Sequence, residues 1–185
     1  MNANNDLELC VGDMVFTKIG GPLYACVAKT TGSWTTHVGI LVGRKGSEWI
    51  VAESAIPTAR KTTLSRFIKR SVNGEFAIRR LKDGFTPAQV GQLLKAVDAR
   101  MGRAYHTGFD LDANRTFCSK FVREVVLESA GVEVGRVETF SEMMLRNPAA
   151  PLWFWKVWFF GRIPWNHRTI TPASMLESPG LVKVA

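Results

Sequence analysis

Short runs of β-branched and aromatic residues alternate with glycines and prolines in the first half of the chain. Four such runs predict strands, and they cover residues 13–18, 35–42, 49–54 and 76–81. Runs of this length between turn-forming residues are typical of a β-sheet. Only residues 43–48 separate the second run from the third, and this spacing predicts an antiparallel hairpin.

Hydrophobic residues recur at helical spacing further along the chain. Thr86 and Gln89 form a Thr-x-x-Gln capping box, and Pro87 occupies the first helical position, where proline is favoured. Gly102 is the expected stop of this helix. A second helix is predicted to begin near residues 116–117 and to end at Gly131.

Strands followed by helices predict an α+β fold with an antiparallel sheet packed against helices. The chain has no internal repeat and no long Gly/Ser linker, so residues 1–185 are expected to form one domain with a polar tail over residues 1–9. A capped turn is expected at residues 171–176, followed by a last strand near residues 181–184. Residues 147–168 differ in character, because they form an aromatic and basic insert without Asp or Glu.

Composition and charge narrow the class of protein. The chain is 46% hydrophobic and 22% charged, which permits a sizeable core and argues against disordered, collagen-like and coiled-coil proteins. A net charge of +8 favours anionic partners. The eight basic residues within residues 60–82 form either a solvated face or a site for an anionic polymer or lipid head groups. No nucleic-acid-binding motif is present, so nucleic acid is not an expected partner.

No targeting or membrane-spanning segment is recognisable. The first nine residues lack the basic and apolar regions of a secretory signal, and no uncharged apolar run reaches the ~20 residues of a spanning helix. We expect a protein made in the cytoplasm, which would need a non-standard route to act outside the cell. Three cysteines are too few for a disulfide framework. The sequence contains no CxxC pair and its three histidines are far apart, so it gives no indication of a metal site.

Cys118 lies in Thr-Phe-Cys-Ser-Lys-Phe-Val, where a loop is expected to become a helix. A thiol in the first turn of a helix faces unpaired N–H groups and the positive end of the helix dipole, which favour the thiolate. Cys118 is therefore a candidate nucleophile, although a free cysteine is also commonly a small core residue. Cys10 and Cys26 have no such context, and we interpret both as structural.

Three other side chains could assist Cys118. His37, in the second predicted strand, could exchange a proton with the thiol and the leaving group, or it could be a hydrogen-bonded core histidine. Glu53, in the next strand, could orient the imidazole, or it could lie in solvent or in a salt bridge. The Tyr105 hydroxyl could donate to a developing oxyanion, or the ring could simply pack in the core.

The order of these residues resembles that of a known family. The motifs are Gly-Asp-Met-Val-Phe at 12–16, Thr-His-Val-Gly-Ile at 36–40, Glu53, Gly-Arg-Ala-Tyr at 102–105 and Phe-Cys-Ser-Lys-Phe-Val at 117–122. They are similar to the YiiX/YebB-type permuted papain-like cysteine hydrolases of the NlpC-related superfamily, in which the histidine precedes the cysteine. The similarity covers residues 11–146 and 169–185. Lys120 and His106 stand where relatives usually carry acidic residues. This difference bears on which substrate the protein accepts more than on its catalytic residues.

The resemblance implies a permuted papain-like fold and a cysteine hydrolase. It implies Cys118 as the nucleophile, His37 as the base, Glu53 as the third member of the triad and Tyr105 near the oxyanion, with no metal or cofactor. The leading substrate is an amide in a peptide-like or peptidoglycan-like molecule. The alternatives are a lipid acyl hydrolase or acyltransferase, and a non-catalytic lipid- or protein-binding module.

The insert at residues 147–168 contains four of the six tryptophans. Its stretch 151–164 leaves no wide polar face at helical spacing, so a helix there must dock on another surface. It could be a core helix, fill a partner-protein groove, or lie at a membrane surface with Lys156 and Arg162 beside anionic lipid. On the last interpretation, the rings that contact lipid are those of Trp153, Trp155 and Trp158.

Overall fold

A six-stranded antiparallel sheet organises the computed structural model, which describes residues 8–185. Residues 1–7 of the predicted polar tail lie outside the described residues. The strands are β1 (Met14–Ile19), β2 (His37–Lys45), β3 (Glu48–Ser54), β4 (Ala59–Thr63), β5 (Ser71–Leu81), β6 (Glu138–Thr139), β7 (Arg168–Thr169) and β8 (Leu181–Lys183). The order across the main sheet is β4-β3-β2-β1-β5-β8, while β6 and β7 pair with each other.

Residues 8–185 also contain seven helices. They are α1 (Pro22–Thr31), α2 (Leu64–Lys69), α3 (Pro87–Asp98), α4 (Cys118–Ala130), α5 (Phe140–Arg146), α6 (Leu152–Trp158) and α7 (Pro172–Leu176). Across residues 8–185, no helix has both the length and the apolar character needed to cross a bilayer.

The helix signals of the sequence are present in the structure. The Thr86 hydroxyl accepts a hydrogen bond from the backbone N–H of Gln89 at 3.3 Å, and the Gln89 side chain accepts one from the N–H of Thr86 at 2.8 Å. Helix α3 ends at Asp98, four residues before the expected stop at Gly102. Helix α4 ends where predicted, because Gly131 adopts the left-handed conformation with φ of 69°.

Six elements were not predicted: α1, β4, α2, β6, α5 and β7. Only Thr30 is buried in α1, so this helix carries little hydrophobic periodicity. Strand β4 lies at the edge of the sheet and reads Ala-Arg-Lys-Thr-Thr, a polar pattern that edge strands tolerate because one side faces solvent. Elements α1, β4 and α2 are held by contacts with distant parts of the chain rather than by a strong local pattern.

The core is divided between the two faces of the sheet. Side chains alternate along a strand, so Met14, Phe16, Val38 and Ile40 face helices α3 and α4. The alternate residues face α2, and this second cluster contains Val15, Leu41, Val51, Phe67 and Ile78. Strand β2 is therefore buried on both faces, and the start of α4 packs beside its first residues.

Candidate active site

His37 and Glu53 meet on neighbouring strands of the sheet. The register of β2 and β3 pairs Ile40 with Ala52, so Glu53 lies near the start of β2, where His37 stands. His37 Nε2 is 2.6 Å from Glu53 Oε2, and the two side chains are 2% and 0% exposed. The predicted contact between His37 and Glu53 is therefore present in the structure.

Two arginines hold the carboxylate of Glu53, and sequence analysis did not single them out. Arg60, opposite Glu53 on β4, donates from Nε to Oε1 at 3.1 Å. Arg70, at the C-terminal end of α2, donates from Nη2 to both carboxylate oxygens at 2.8 Å. Burial by itself raises the pKa of Glu53, but the contacts with His37 and Arg70 outweigh it and lower that pKa to about 2. Glu53 is thus a buried, permanent negative charge.

Phe67 of α2 packs against the His37 side of this cluster. Its ring stacks on His37 with a centroid separation of 5.4 Å and an interplanar angle of 30°. The Arg70 guanidinium lies over the same Phe67 ring, 5.1 Å from its centroid. A Cβ at Gly39 would lie 3.0 Å from Phe67 and 2.5 Å from Val51, so glycine is required in the His-Val-Gly motif for this packing.

Cys118 is the first residue of α4, as the sequence predicted. The preceding residue, Phe117, provides no side-chain cap, so the first-turn N–H groups are not occupied by a capping side chain. Burial opposes ionisation of the 4% exposed Cys118, but His37 and the backbone N–H groups of Val38 and Ser119 lower the pKa of its thiol. The structure therefore favours the thiolate.

The second imidazole nitrogen of His37, Nδ1, is buried and has no hydrogen-bond partner among residues 8–185, whereas Nε2 is committed to Glu53. Burial by itself lowers the pKa of His37, but Cys118 and Glu53 together raise it to about 9. His37 in turn lowers the pKa of the Cys118 thiol, so a positive imidazole and a negative thiolate stabilise each other.

Two tyrosines lie beside Cys118. Tyr105 is 6% exposed, and burial together with the negative charge of Cys118 raises the pKa of its hydroxyl. Tyr24, from helix α1, has a pKa raised by the same two causes. Both hydroxyls therefore remain hydrogen-bond donors at neutral pH. Sequence analysis found Tyr105 through its motif but missed Tyr24, because no local pattern marked α1 as a helix.

A narrow cavity of about 40 Å³ adjoins the thiol of Cys118. Its walls are almost entirely apolar atoms, although several threonines contribute their methyl groups. The lining residues that matter most for its shape are Tyr24, Tyr105, Phe109, Phe140, Met143 and Trp155. Lys120 and His106, the two departures from the family pattern, do not line this cavity: Lys120 donates to the carbonyl of Ala113, and His106 Nδ1 accepts from the N–H of Asp110.

The aromatic insert contributes one wall of this cavity, which corrects part of the sequence interpretation. Trp155 is 2% exposed and donates from Nε1 to Thr30 Oγ1 at 2.8 Å, so it cannot contact lipid. Trp158 is half-buried and donates to the carbonyl of Thr107 at 3.0 Å. Trp153 is 69% exposed. The helical period explains the difference, since residues two apart lie on nearly opposite sides of a helix.

Part of the basic cluster at residues 60–82 forms ion pairs inside the molecule. Arg60 and Arg70 bind Glu53, as described above. Arg80 lies 2.7 Å from the buried Asp13, and Lys61 lies 2.6 Å from Asp98. These four cations stabilise the sheet and the site, so the residues are not simply a solvated basic face.

Comparisons with known proteins were made for the whole chain. A sequence model of the family described as permuted papain-like amidase enzyme, YaeF/YiiX, C92 family, matches residues 8–185. Among solved structures, the chain is similar to one described as the metalloprotein YiiX from Escherichia coli O157:H7, with 26% sequence identity and a TM-score of 0.86. That alignment covers 95% of this chain and 96% of the other. No curated protein sequence matches the chain significantly.

Proposed function

Because the chain belongs to the family of permuted papain-like amidases represented by YaeF and YiiX, we propose that it is a cysteine amidase with Cys118 as its nucleophile. His37 is the general acid and base, and Glu53 orients it. The observation that carries the proposal is the buried contact of 2.6 Å between His37 and Glu53, together with Cys118 at the start of α4, whose thiol pKa is lowered by His37. The proposed substrate is a peptide-like or peptidoglycan-like amide.

Acylation begins with attack of the Cys118 thiolate on the carbonyl carbon of the amide. A C–S bond forms, and the negative charge moves to the carbonyl oxygen. The backbone N–H of Cys118 and the Tyr105 hydroxyl donate hydrogen bonds to this oxyanion. His37 then transfers its Nδ1 proton to the leaving amine, the C–N bond breaks, and a thioester remains on Cys118.

Deacylation uses the neutral imidazole that acylation leaves behind. His37 takes a proton from water, whose oxygen attacks the thioester carbon. When the second tetrahedral intermediate collapses, the C–S bond breaks and the carboxylic acid product leaves. The thiolate and the imidazolium are thereby restored, and Glu53 stays ionised throughout because Arg60 and Arg70 accompany it.

One observation favours a second candidate function, the hydrolysis or transfer of a lipid acyl group. The cavity beside Cys118 is narrow and its walls are apolar, with Phe140, Met143 and Trp155 among them. Apolar walls of this kind suit the first carbons of an acyl chain, although the cavity of about 40 Å³ is too small for a whole chain, whereas a peptide brings N–H and C=O groups that need partners. The chemistry at Cys118 is the same for both substrates.

The description of the E. coli protein as a metalloprotein was tested against the residues of this chain. Residues 8–185 contain no group of three or more His, Cys, Asp or Glu side chains placed to hold a metal ion. The Glu53 oxygens are taken by His37, Arg60 and Arg70, and two adjacent guanidinium groups repel a cation. The site does not fit a metal, and no step of the proposed reaction uses one.

The acyl group itself can be identified by trapping the thioester. Wild-type protein is mixed with muropeptides, with acyl-peptide amides or with phospholipid vesicles, quenched in acid, and its intact mass is measured. We expect an added mass on Cys118 that hydroxylamine removes, and the size of that mass names the acyl donor. Cys118→Ala provides the matched control and should gain no mass.

The three outcomes separate the candidates. A peptidyl or muropeptide adduct supports the amidase, and a fatty-acyl adduct supports the lipid hydrolase. If no donor in the panel gives an adduct on wild-type protein, while a thiol reagent still modifies Cys118, the binding-module hypothesis replaces both enzymatic ones.

A further inference from the structure

One face of helix α6 and the turn that follows it is apolar and exposed. Trp153 is 69% exposed, Val157 is 70% exposed, and Phe160 is 94% exposed, while Leu152 is 39% exposed. Trp153 and Val157 are four residues apart and share one side of α6, while Leu152 lies in its first turn and Phe160 in the turn beyond its end. We refer to these four exposed residues as the apolar ridge. We call this ridge, together with Lys156 and Arg162, the α6 face.

The α6 face is held outward by packing on its opposite side. Trp155 is anchored by its hydrogen bond to Thr30 and by edge-to-face contact with Phe140 at a centroid separation of 5.3 Å. Trp158 is anchored by its hydrogen bond to the carbonyl of Thr107. Both anchors lie far from α6 in sequence, so the exposed ridge is a fixed part of the folded surface.

The charges within the α6 face all have one sign. Lys156 lies among the apolar residues and Arg162 follows them, and both are exposed. Neither forms a salt bridge with any of the residues 8–185, and residues 147–168 contain no Asp or Glu. An exposed apolar ridge with unpaired cations is complementary to lipid head groups, where aromatic rings and basic side chains are both stabilised.

We propose that the α6 face docks the protein on an anionic membrane surface. Trp153 and Phe160 enter the boundary between head groups and acyl chains, while Lys156 and Arg162 bind lipid phosphates. The seven residues of α6 span about 10 Å at 1.5 Å per residue, so the helix lies along the interface and does not cross the bilayer. This inference does not depend on the chemistry at Cys118.

Charge distinguishes a membrane from the other occupants of this surface. A symmetric dimer through the α6 face would bring Lys156 and Arg162 of two copies together, and like charges oppose such an interface. Lysine is also depleted from the cores of protein–protein interfaces, yet Lys156 lies within the apolar ridge. A membrane surface accepts both features, because the basic side chains reach the phosphates while the rings stay below them.

Docking in this orientation would bring the cavity close to lipid. Trp155 lies on the opposite side of the same helix from Trp153 and Val157, and it lines the cavity beside Cys118. The cavity is therefore separated from the docked surface by about one helix diameter, roughly 10 Å.

Vesicle flotation with the full chain tests the proposal. Wild-type protein and Cys118→Ala should both float with vesicles of phosphatidylcholine and phosphatidylglycerol (7:3) at low salt, and bind pure phosphatidylcholine vesicles much more weakly. Lys156→Gln/Arg162→Gln should lower the partition coefficient on anionic vesicles roughly thirtyfold, because each basic residue near such a surface contributes about fivefold. Trp153→Ser/Phe160→Ser should abolish flotation.

Two control variants separate the α6 face from general effects. Lys95→Gln removes an exposed cation on α3, and Leu127→Ser removes an apolar side chain on α4 that is 40% exposed. Both should float like wild type. Apart from Cys118, all substituted positions are exposed, and thermal melts will show whether each variant keeps the wild-type fold.

Three results would overturn the proposal. The first is no flotation of wild-type protein with anionic vesicles. The second is equal flotation of the α6-face variants and the controls. The third is a concentration-dependent dimer of the wild type, seen by light scattering and lost in Trp153→Ser/Phe160→Ser, which would assign the face to a second copy of the chain.

Discussion

Replacing Glu53 by glutamine removes one charge from the centre of the site with almost no change of shape. The carboxylate is 0% exposed and accepts hydrogen bonds from His37, Arg60 and Arg70. In Glu53→Gln an NH2 group replaces one carboxylate oxygen, so a neutral amide of nearly the same shape faces two guanidinium groups and the imidazole. The positive charge on His37 then loses its nearest counter-charge, while Arg60 and Arg70 continue to repel it.

The size of the effect follows from the pKa of His37. That pKa is about 9, against an ordinary value of 6.5. The difference corresponds to about 3 kcal/mol in favour of the protonated ring, or about two orders of magnitude in the ratio of protonated to neutral imidazole. Cys118 and Glu53 share this stabilisation, so we expect Glu53→Gln to reduce the thiolate–imidazolium pair roughly ten- to a hundredfold at neutral pH.

The rate of Cys118 alkylation by iodoacetamide measures this population directly. Peptide mass spectrometry at a series of pH values from about 5 to 10 should give an earlier plateau for wild-type protein than for an ordinary thiol, because His37 and the neighbouring backbone N–H groups lower the pKa of Cys118. In Glu53→Gln the rate should rise with pH as it does for an ordinary thiol. Turnover should fall as well, but less than in Cys118→Ala, because the nucleophile is still present.

Controls distinguish this mechanism from a loss of folding. Glu75→Gln changes an exposed glutamate that lies 3.8 Å from Lys18, and it should behave like wild type. Arg70→Met should give an intermediate profile, since Glu53 keeps its contacts with His37 and Arg60. If Glu53→Gln melts as a folded protein and keeps the wild-type alkylation profile, another residue orients His37 and the reasoning is wrong.

Three further predictions concern access, catalysis and stability. Below pH 7, mass spectrometry should find that iodoacetamide labels Cys118 before Cys10 and Cys26. A bulky maleimide should reverse this order, because Cys118 is only 4% exposed. Labelling of Cys10 or Cys26 first by iodoacetamide would contradict the assignment of Cys118 as the nucleophile. Tyr105→Phe should lower kcat about a hundredfold with little change in KM, as expected for a lost oxyanion donor, and an unchanged kcat would show that the ring only packs. The pKa of Glu53 is lowered to about 2 from an ordinary 4.5, so its contribution to stability is present above about pH 4.5 and is lost as the pH falls towards 2. The free energy of unfolding in urea should therefore fall over this pH range in wild type, and this part of the fall should be absent in Glu53→Gln.

The elements with strong local signals could be predicted from the amino-acid sequence alone. The Thr86–Gln89 capping box, the left-handed Gly131 and the apolar runs of β1, β2 and β3 each depend on residues within a few positions of one another. The order of the motifs then indicated the family, the position of Cys118 at a helix start and the pairing of His37 with Glu53. Such features survive in sequence because capping and side-chain alternation are local interactions.

The surroundings of these residues depend on contacts between distant parts of the chain, which the folded structure shows and the sequence pattern does not. Arg70 lies 17 positions from Glu53, and Thr30 lies 125 positions from Trp155, and no local pattern relates either pair. The structure alone placed Arg60 and Arg70 on the carboxylate and Tyr24 beside the thiol. It also turned Trp155 into the cavity while leaving Trp153 exposed. The sequence showed that the aromatic helix must dock, but which side docks depends on the shape and polarity of the surface that it meets, and distant segments build that surface.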